Sequence, residues 1–174
     1  MNKFREGFVG PIIVLCLIAA LCTAAVAATY YATAPEIARV QAERAAIARL
    51  LVLPTASDFE RLHLELPGGV IAAYRATNDV GFVFQAAARG YGGPVPIMVG
   101  MDPYGQIVDI RVLSHSETRG LGDRIENPDY LALFQGLTGP DGVDGISGAT
   151  VSVTALKNAL RSAAAGFELV REVS

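Results

Sequence analysis

The sequence predicts an α+β protein in which one N-terminal transmembrane helix is followed by a mainly antiparallel sheet covered by helices. Three observations carry this expectation. A run of 21 residues without a charge extends from Phe8 to Ala28. Short stretches rich in β-branched residues, separated by turn formers, occupy the middle of the chain. Near the C-terminus, Val153, Leu156, Leu160, Ala164, Phe167 and Val170 recur every three or four residues, the stripe of an amphipathic helix. The 174 residues leave room for one ordinary domain and a small extra element.

The composition is apolar, with 52% hydrophobic residues and a mean hydropathy of +0.39. Much of the excess sits in the uncharged run. At about 1.5 Å per helical residue it covers the roughly 30 Å hydrocarbon core of a bilayer. Pro11 falls in its first turn, where a missing N–H costs little. Lys3, Arg5 and Glu6 make the preceding stub net +1, whereas the chain from Tyr31 onward carries 12 basic and 16 acidic residues, net −4. The positive-inside rule then puts the N-terminus in the cytoplasm and the remainder across the membrane. Tyr30 and Tyr31 suit the headgroup layer at the exit. Ala25, Val26 and Ala27 resemble a signal-peptidase site, but the run is longer than a signal-peptide core, so an uncleaved single-pass anchor is expected.

Residues 1–31 are therefore read as cytoplasmic stub and transmembrane helix, 32–61 as a helical connector, and 62–174 as the exported domain. Ala34–Leu53 has an approximate apolar stripe (Ile37, Val40, Ile47, Ala48, Leu51), interrupted by Arg44 and stopped by Pro54. Val70–Arg75 and Val80–Ala87 form a hairpin around Asn78 and Asp79. Pro96–Met101 and Gln106–Leu113 form the next pair, joined by the turn Asp102-Pro103-Tyr104-Gly105. Ser114–Asp123 reads as a polar loop, Asn127–Leu137 as a short helix, and about Val151 to Val170 as the last helix.

Several chemistries are excluded. Cys16 and Cys22 both lie in the apolar run, six residues apart and on different sides of a helix, so they act as packing residues rather than a disulfide. The exported domain has no cysteine, and His63 and His115 have no ligand spacing around them, so no metal site and no thiolate catalysis are expected. Its acidic balance and scattered basic residues argue against nucleic acid. No residue is read as a catalyst.

Asp144-Gly145-Ile146-Ser147-Gly148-Ala149-Thr150 is the informative segment. It is a small-residue turn opening a helix, where free backbone N–H groups and the positive dipole end favour an anion such as a phosphate. Gly148 and Ala149 leave room beside the backbone, and Ser147, Thr150 and Ser152 present hydroxyls. Taken alone, Ser147 or Thr150 is equally an ordinary N-cap. Glu117 and Arg119, in the upstream loop, read alone as the wet side chains of a solvated turn. Lys157 and Arg161 read as solvent-facing partners of local carboxylates, with phosphate neutralisation as the alternative.

The segment D-G-I-S-G-A-T resembles the flavinylation motif of the FMN-binding domain family, which includes the G subunit of the Rnf electron-transport complex and the C subunit of the sodium-pumping NADH:quinone oxidoreductase. Two further stretches resemble that family: Gly90-Tyr91-Gly92-Gly93-Pro94, leading into a strand, and Ser114-His115-Ser116-Glu117-Thr118-Arg119-Gly120-Leu121-Gly122. In the second, Arg119 stands where the family usually has proline, which removes a fixed φ from the loop. The resemblance covers roughly residue 90 to the C-terminus plus the N-terminal span, and its motifs occur in the family's order.

The resemblance implies covalent FMN, joined to Thr150 by a phosphoester that a separate flavin transferase makes from FAD, with Asp144 taking part in that recognition. Ser147, Gly148 and Ala149 would surround the attachment point. Glu117, Thr118, Gly120, Leu121 and Gly122 would lie against the isoalloxazine ring. The implied function is an electron-transfer subunit in a membrane-bound complex that translocates Na⁺ or H⁺, with other Rnf-type membrane subunits and the lipid bilayer as partners and no substrate turnover of its own. A non-flavin anchored binding or assembly module, and a stand-alone exported flavoprotein reductase, are the alternatives.

Overall fold

Short apolar, β-branched stretches separated by turn formers build one five-stranded sheet. In the computed structural model, which describes residues 3–173 and side chains from residue 10 to 172, the strands are β1 (Phe59–Leu62), β2 (Val70–Ala76), β3 (Phe82–Arg89), β4 (Pro94–Met101) and β5 (Ile107–Val112). They lie in sequence order, and every neighbouring pair is antiparallel. The helices are α1 (Lys3–Val52), α2 (Pro128–Ala132) and α3 (Thr150–Val173), with a 3-10 turn at Gly122–Glu126. The expected fold class is the observed one.

The chain divides into two units, residues 1–42 and 43–174. The first is the greater part of α1. Its most apolar stretch is long enough to cross a membrane, and none of that stretch is buried within the protein. Ile12, Ile13, Leu15, Leu17, Ile18 and Leu21 are all exposed, which in water would be costly and in lipid is favourable. The hydroxyls of Thr23, Thr29 and Thr33 donate to carbonyls one turn back at 2.8–2.9 Å, so none is left unsatisfied. Pro11 lies inside α1 rather than in its first turn, because the helix already begins at Lys3. Lys3, Arg5 and Glu6, on which the expected orientation rests, lie outside the residues whose side chains are described.

In the second unit the two faces of the sheet are covered by different helices. Phe84, Ile97, Val99 and Ile110 pack against Leu156, Leu160 and Phe167 of α3, together with Phe134 and Ile125. Val83 and Met98, one residue out of step, face Ala48 and Val52 at the end of α1. Gly100 in β4 permits that contact, since a Cβ there would come within 2.2 Å of the Val52 carbonyl oxygen. The Arg49 guanidinium lies 4.4 Å from the Tyr74 ring centroid, a cation–π contact.

Three elements differ from the sequence reading. Strand β1 was not foreseen, since it has four residues and two of them, Glu60 and Arg61, are charged. The helix expected over Asn127–Leu137 is only Pro128–Ala132. Residues 136 and 137 instead exchange backbone hydrogen bonds with Ile107 at 2.8 Å, extending the start of β5. The loop expected over Ser114–Asp123 gives way to the 3-10 turn at Gly122.

Candidate functional site

Helix α3 is held on the sheet by its buried stripe, and that docking fixes where its first residue, Thr150, stands. The preceding turn is closed by the Ala149 N–H donating to the Ile146 carbonyl at 3.1 Å. Gly148 occupies the left-handed region of that turn at φ 84°, a conformation side chains disfavour. Two side chains pin the segment from outside, and two more hold the residues just before it. Arg124 donates to the Ser147 carbonyl at 3.0 Å, and the Tyr130 hydroxyl donates to the Asp144 carbonyl at 3.0 Å. Burial, then the charge of Asp144, push the Tyr130 hydroxyl up from its ordinary pKa, which keeps it a donor. Lys157 donates to the Val143 carbonyl, and Arg161 pairs with Asp141 at 3.0 Å. Arg161 thus meets a local carboxylate as expected, whereas Lys157 meets a carbonyl.

Thr150 is exposed, its carbonyl accepts from the Thr154 hydroxyl at 2.8 Å, and its own hydroxyl bonds to no other described residue. The Ser147 hydroxyl is likewise unengaged among the described residues. Neither is an N-cap. The first turn of α3 therefore presents N–H groups without side-chain acceptors, beside a free hydroxyl.

Facing this helix start is the loop from His115 to Gly122. The Thr118 carbonyl accepts from the N–H groups of Leu121 and Gly122 at 3.2 and 2.8 Å, which closes the loop with Arg119 exposed. Glu117 is only 7% exposed. One of its oxygens accepts from the Gly92 N–H at 2.8 Å and the other from the Ser152 hydroxyl. Its N–H donates to His115 Nδ1 at 3.1 Å, and His115 Nε2 lies 2.6 Å from a Glu126 carboxylate oxygen. The solvated-turn reading holds for Arg119 and fails for Glu117. Burial alone would raise the Glu117 carboxyl, but hydrogen bonds from Ser152, Gly92 and Tyr91 and the charge of His115 outweigh it and hold it below the ordinary carboxylate range. A depressed folded-state pKa means that this group's contribution to stability is complete above the unfolded value of about 4.3 and is lost as pH falls through the folded value. Acid titration of thermal unfolding is expected to show the loss below about pH 4, and Glu117→Gln is expected to flatten it. Equal acid sensitivity in the variant would contradict this.

Between loop and helix lies a cleft of about 500 Å³. Of the residues singled out in the sequence, Glu117, Thr118, Leu121 and Gly122 line one side, and Gly148, Ala149 and Thr150 the other. Gly120, Ser147 and Asp144 do not line it: Gly120 is at the exposed tip of the loop, and the other two have their carbonyls held by Arg124 and Tyr130. Tyr91, Val151 and Ser152 complete the lining. Tyr91 sits inside the Gly90–Pro94 motif and Ser152 stood out only as a neighbouring hydroxyl, while nothing in the sequence marks Val151. The volume falls within the range of small-ligand pockets, roughly 300–1,000 Å³. Leu121, Val151 and Tyr91 offer apolar surface to a planar ring, and the helix start offers N–H groups and a hydroxyl to a phosphate. The residues present fit FMN.

Residues 90–165, which supply both walls of the cleft, match the model of the FMN-binding domain family. Residues 13–51 match the RnfG N-terminal region. The chain is 32% identical to the G subunit of the ion-translocating oxidoreductase complex of Methanosarcina acetivorans over 169 residues, covering 87% of this chain and 90% of that protein. It is 31% identical to the protein of the same name in Shewanella piezotolerans over 186 residues, covering 89% and 87%. The G subunit of the proton-translocating ferredoxin:NAD(+) oxidoreductase complex of Clostridium ljungdahlii is 24% identical over 149 residues, with 79% and 80% covered. The crystal structure of Shewanella oneidensis NqrC aligns at a TM-score of 0.49 and 19% identity, covering 71% of this chain and 74% of that one. The chain belongs to the RnfG family, the G subunits of ion-translocating oxidoreductase complexes.

Proposed function

We propose that this chain is the electron-transfer subunit of a membrane-bound ion-translocating oxidoreductase and carries FMN as a phosphoester on Thr150. The observation that supports it most is the free, exposed hydroxyl of Thr150 in the first turn of α3, at the mouth of the cleft. When bound, FMN supplies electron transfer in one- or two-electron steps. The chain's part is to hold and orient it. The N–H groups opening α3 receive the phosphate, with Ser147, Gly148 and Ala149 around it. Glu117, Thr118, Leu121 and Gly122 form the wall on the ring side, with Gly120 at the exposed tip of their loop. Asp144, exposed beside the turn, is the residue presented to the flavin transferase. The protein needs no substrate pocket of its own, because its electrons come from one neighbouring subunit and go to another, in a complex moving Na⁺ or H⁺.

In this reading residues 1–31 are stub and span, 32–61 the connector and 62–174 the flavin domain, with the N-terminus in the cytoplasm and the flavin domain outside the inner membrane. The apolar, unburied stretch of α1 supports the span, and the charge difference across it supports the orientation. Membranes of the expressing cell, extracted with alkaline carbonate and run on a denaturing gel, test both parts. The expected result is a full-length band that stays with the membrane and fluoresces as flavin. A shortened soluble band would contradict the anchor, and a dark membrane band the covalent flavin.

A further inference from the structure

We infer that Glu117 is a positioning residue of this site, one whose carboxylate clasps the Tyr91–Gly92 segment to the first turn of α3 and thereby sets the width of the cleft. The inference rests on reading the cleft as the flavin site. Both carboxylate oxygens are taken by protein donors from distant parts of the chain: the Gly92 N–H, 25 residues away, at 2.8 Å, and the Ser152 hydroxyl, 35 residues away. Neither oxygen is left to meet a ligand as its main partner.

The surroundings are shaped for this carboxylate. A Cβ on Gly90 would stand 2.6 Å from one of its oxygens, and a Cβ on Gly122 would stand 2.9 Å from the other and 2.7 Å from the Ser152 hydroxyl. A Cβ on Gly92 would reach within 2.0 Å of the Ser116 carbonyl oxygen, so the Tyr91–Gly92 segment lies directly on the loop that carries Glu117. The backbone of Glu117 is in turn held by His115, which is itself placed against Glu126 of the 3-10 turn.

What the clasp carries is Tyr91. This residue is 79% exposed and borders the cleft. The segment bearing it closes on itself through the Gly90 N–H and the Gly93 carbonyl at 2.7 Å, an internal bond that does not fix its position over α3. The bond to Glu117 does, because Glu117 also holds Ser152, two residues beyond Thr150. Hydrogen bonds to a charged acceptor are the stronger kind, and a buried carboxylate that loses one partner is costly.

The test uses the full-length chain in detergent and compares wild type with Glu117→Gln and Ser152→Ala. Amide hydrogen exchange at Gly92 is read without regard to flavin. The absorption band and the reduction potential are read per attached flavin. Glutamine keeps the shape and one acceptor but loses the charge, so exchange at Gly92 is expected to rise at least about tenfold, with a shifted flavin band and potential. Ser152→Ala, which leaves the Gly92 arm in place, is expected to shift the flavin band with a smaller rise in exchange, and it decides the matter if Glu117→Gln does not fold. Unchanged exchange in both variants, or raised exchange with an unmoved flavin band and potential, overturns the inference. A wild-type chain without attached flavin overturns instead the reading of the site on which it rests.

Discussion

Thr150→Val is expected to abolish covalent flavin completely while leaving the fold and membrane insertion intact. Valine keeps the branched shape and removes only the hydroxyl oxygen. That hydroxyl bonds to no other described residue, and the side chain is exposed, so stability is expected to change by no more than about 0.5 kcal/mol. Chemistry alone does not force the choice of Thr150, since Ser147 and Ser152 are hydroxyls within a few residues. The geometry separates them. Ser152 is buried and donates to Glu117, so its oxygen is engaged and shielded. Ser147 is exposed but lies in the turn before α3, with its carbonyl tied to Arg124 and outside the cleft lining. Thr150→Ser is expected to retain part of the flavin, because a hydroxyl remains at the same place. In-gel fluorescence of the denatured variants is the check. Undiminished fluorescence in Thr150→Val would move the attachment elsewhere.

Leu156→Ala is expected to destabilise the fold strongly while leaving every proposed flavin contact in place. Leu156 is fully buried between α3 and the sheet. Truncating a buried leucine costs about 3 kcal/mol, through lost apolar burial and the cavity left behind. For a domain of this size that lowers the thermal midpoint by roughly 10 °C. The helix that loses its grip is the one that presents Thr150, so flavin attachment is expected to fall with the folded fraction on warming, rather than at low temperature. A drop of less than about 1 kcal/mol, measured by denaturant unfolding of the purified chain, would mean that α3 is not held by this stripe.

What was legible in the sequence was local. The apolar run of α1, the β-branched stretches of β2 to β5 between their turn residues and the stripe of α3 each declare themselves within one element. The turn opening α3 was legible for the same reason: Gly148 and the small residues around it mark a tight corner at a helix start. The four-residue β1 was not, since two charged residues mask it and only its pairing with β2 makes it a strand. The short α2 was not, since the helical pattern of Leu131 and Phe134 continues into residues that pair with Ile107 instead. Within the site, Leu121 and Thr150 came from motifs. The burial of Glu117 could not be read, because it depends on Gly92 and Ser152, which only the fold brings together. At position 119 an arginine stands where the family usually has proline. The loop is closed by the Thr118 carbonyl, which needs no proline beside it.

Peptide mapping of the denatured full-length chain tests the central claim most directly. Trypsin cuts after Arg124 and Lys157, so Thr150 lies on the fragment Ile125–Lys157. In protein made together with a flavin transferase, that fragment is expected to be heavier by one FMN less one water, with fragmentation placing the addition on Thr150. The unmodified fragment mass, in protein from cells where other flavinylated proteins are labelled, would contradict it.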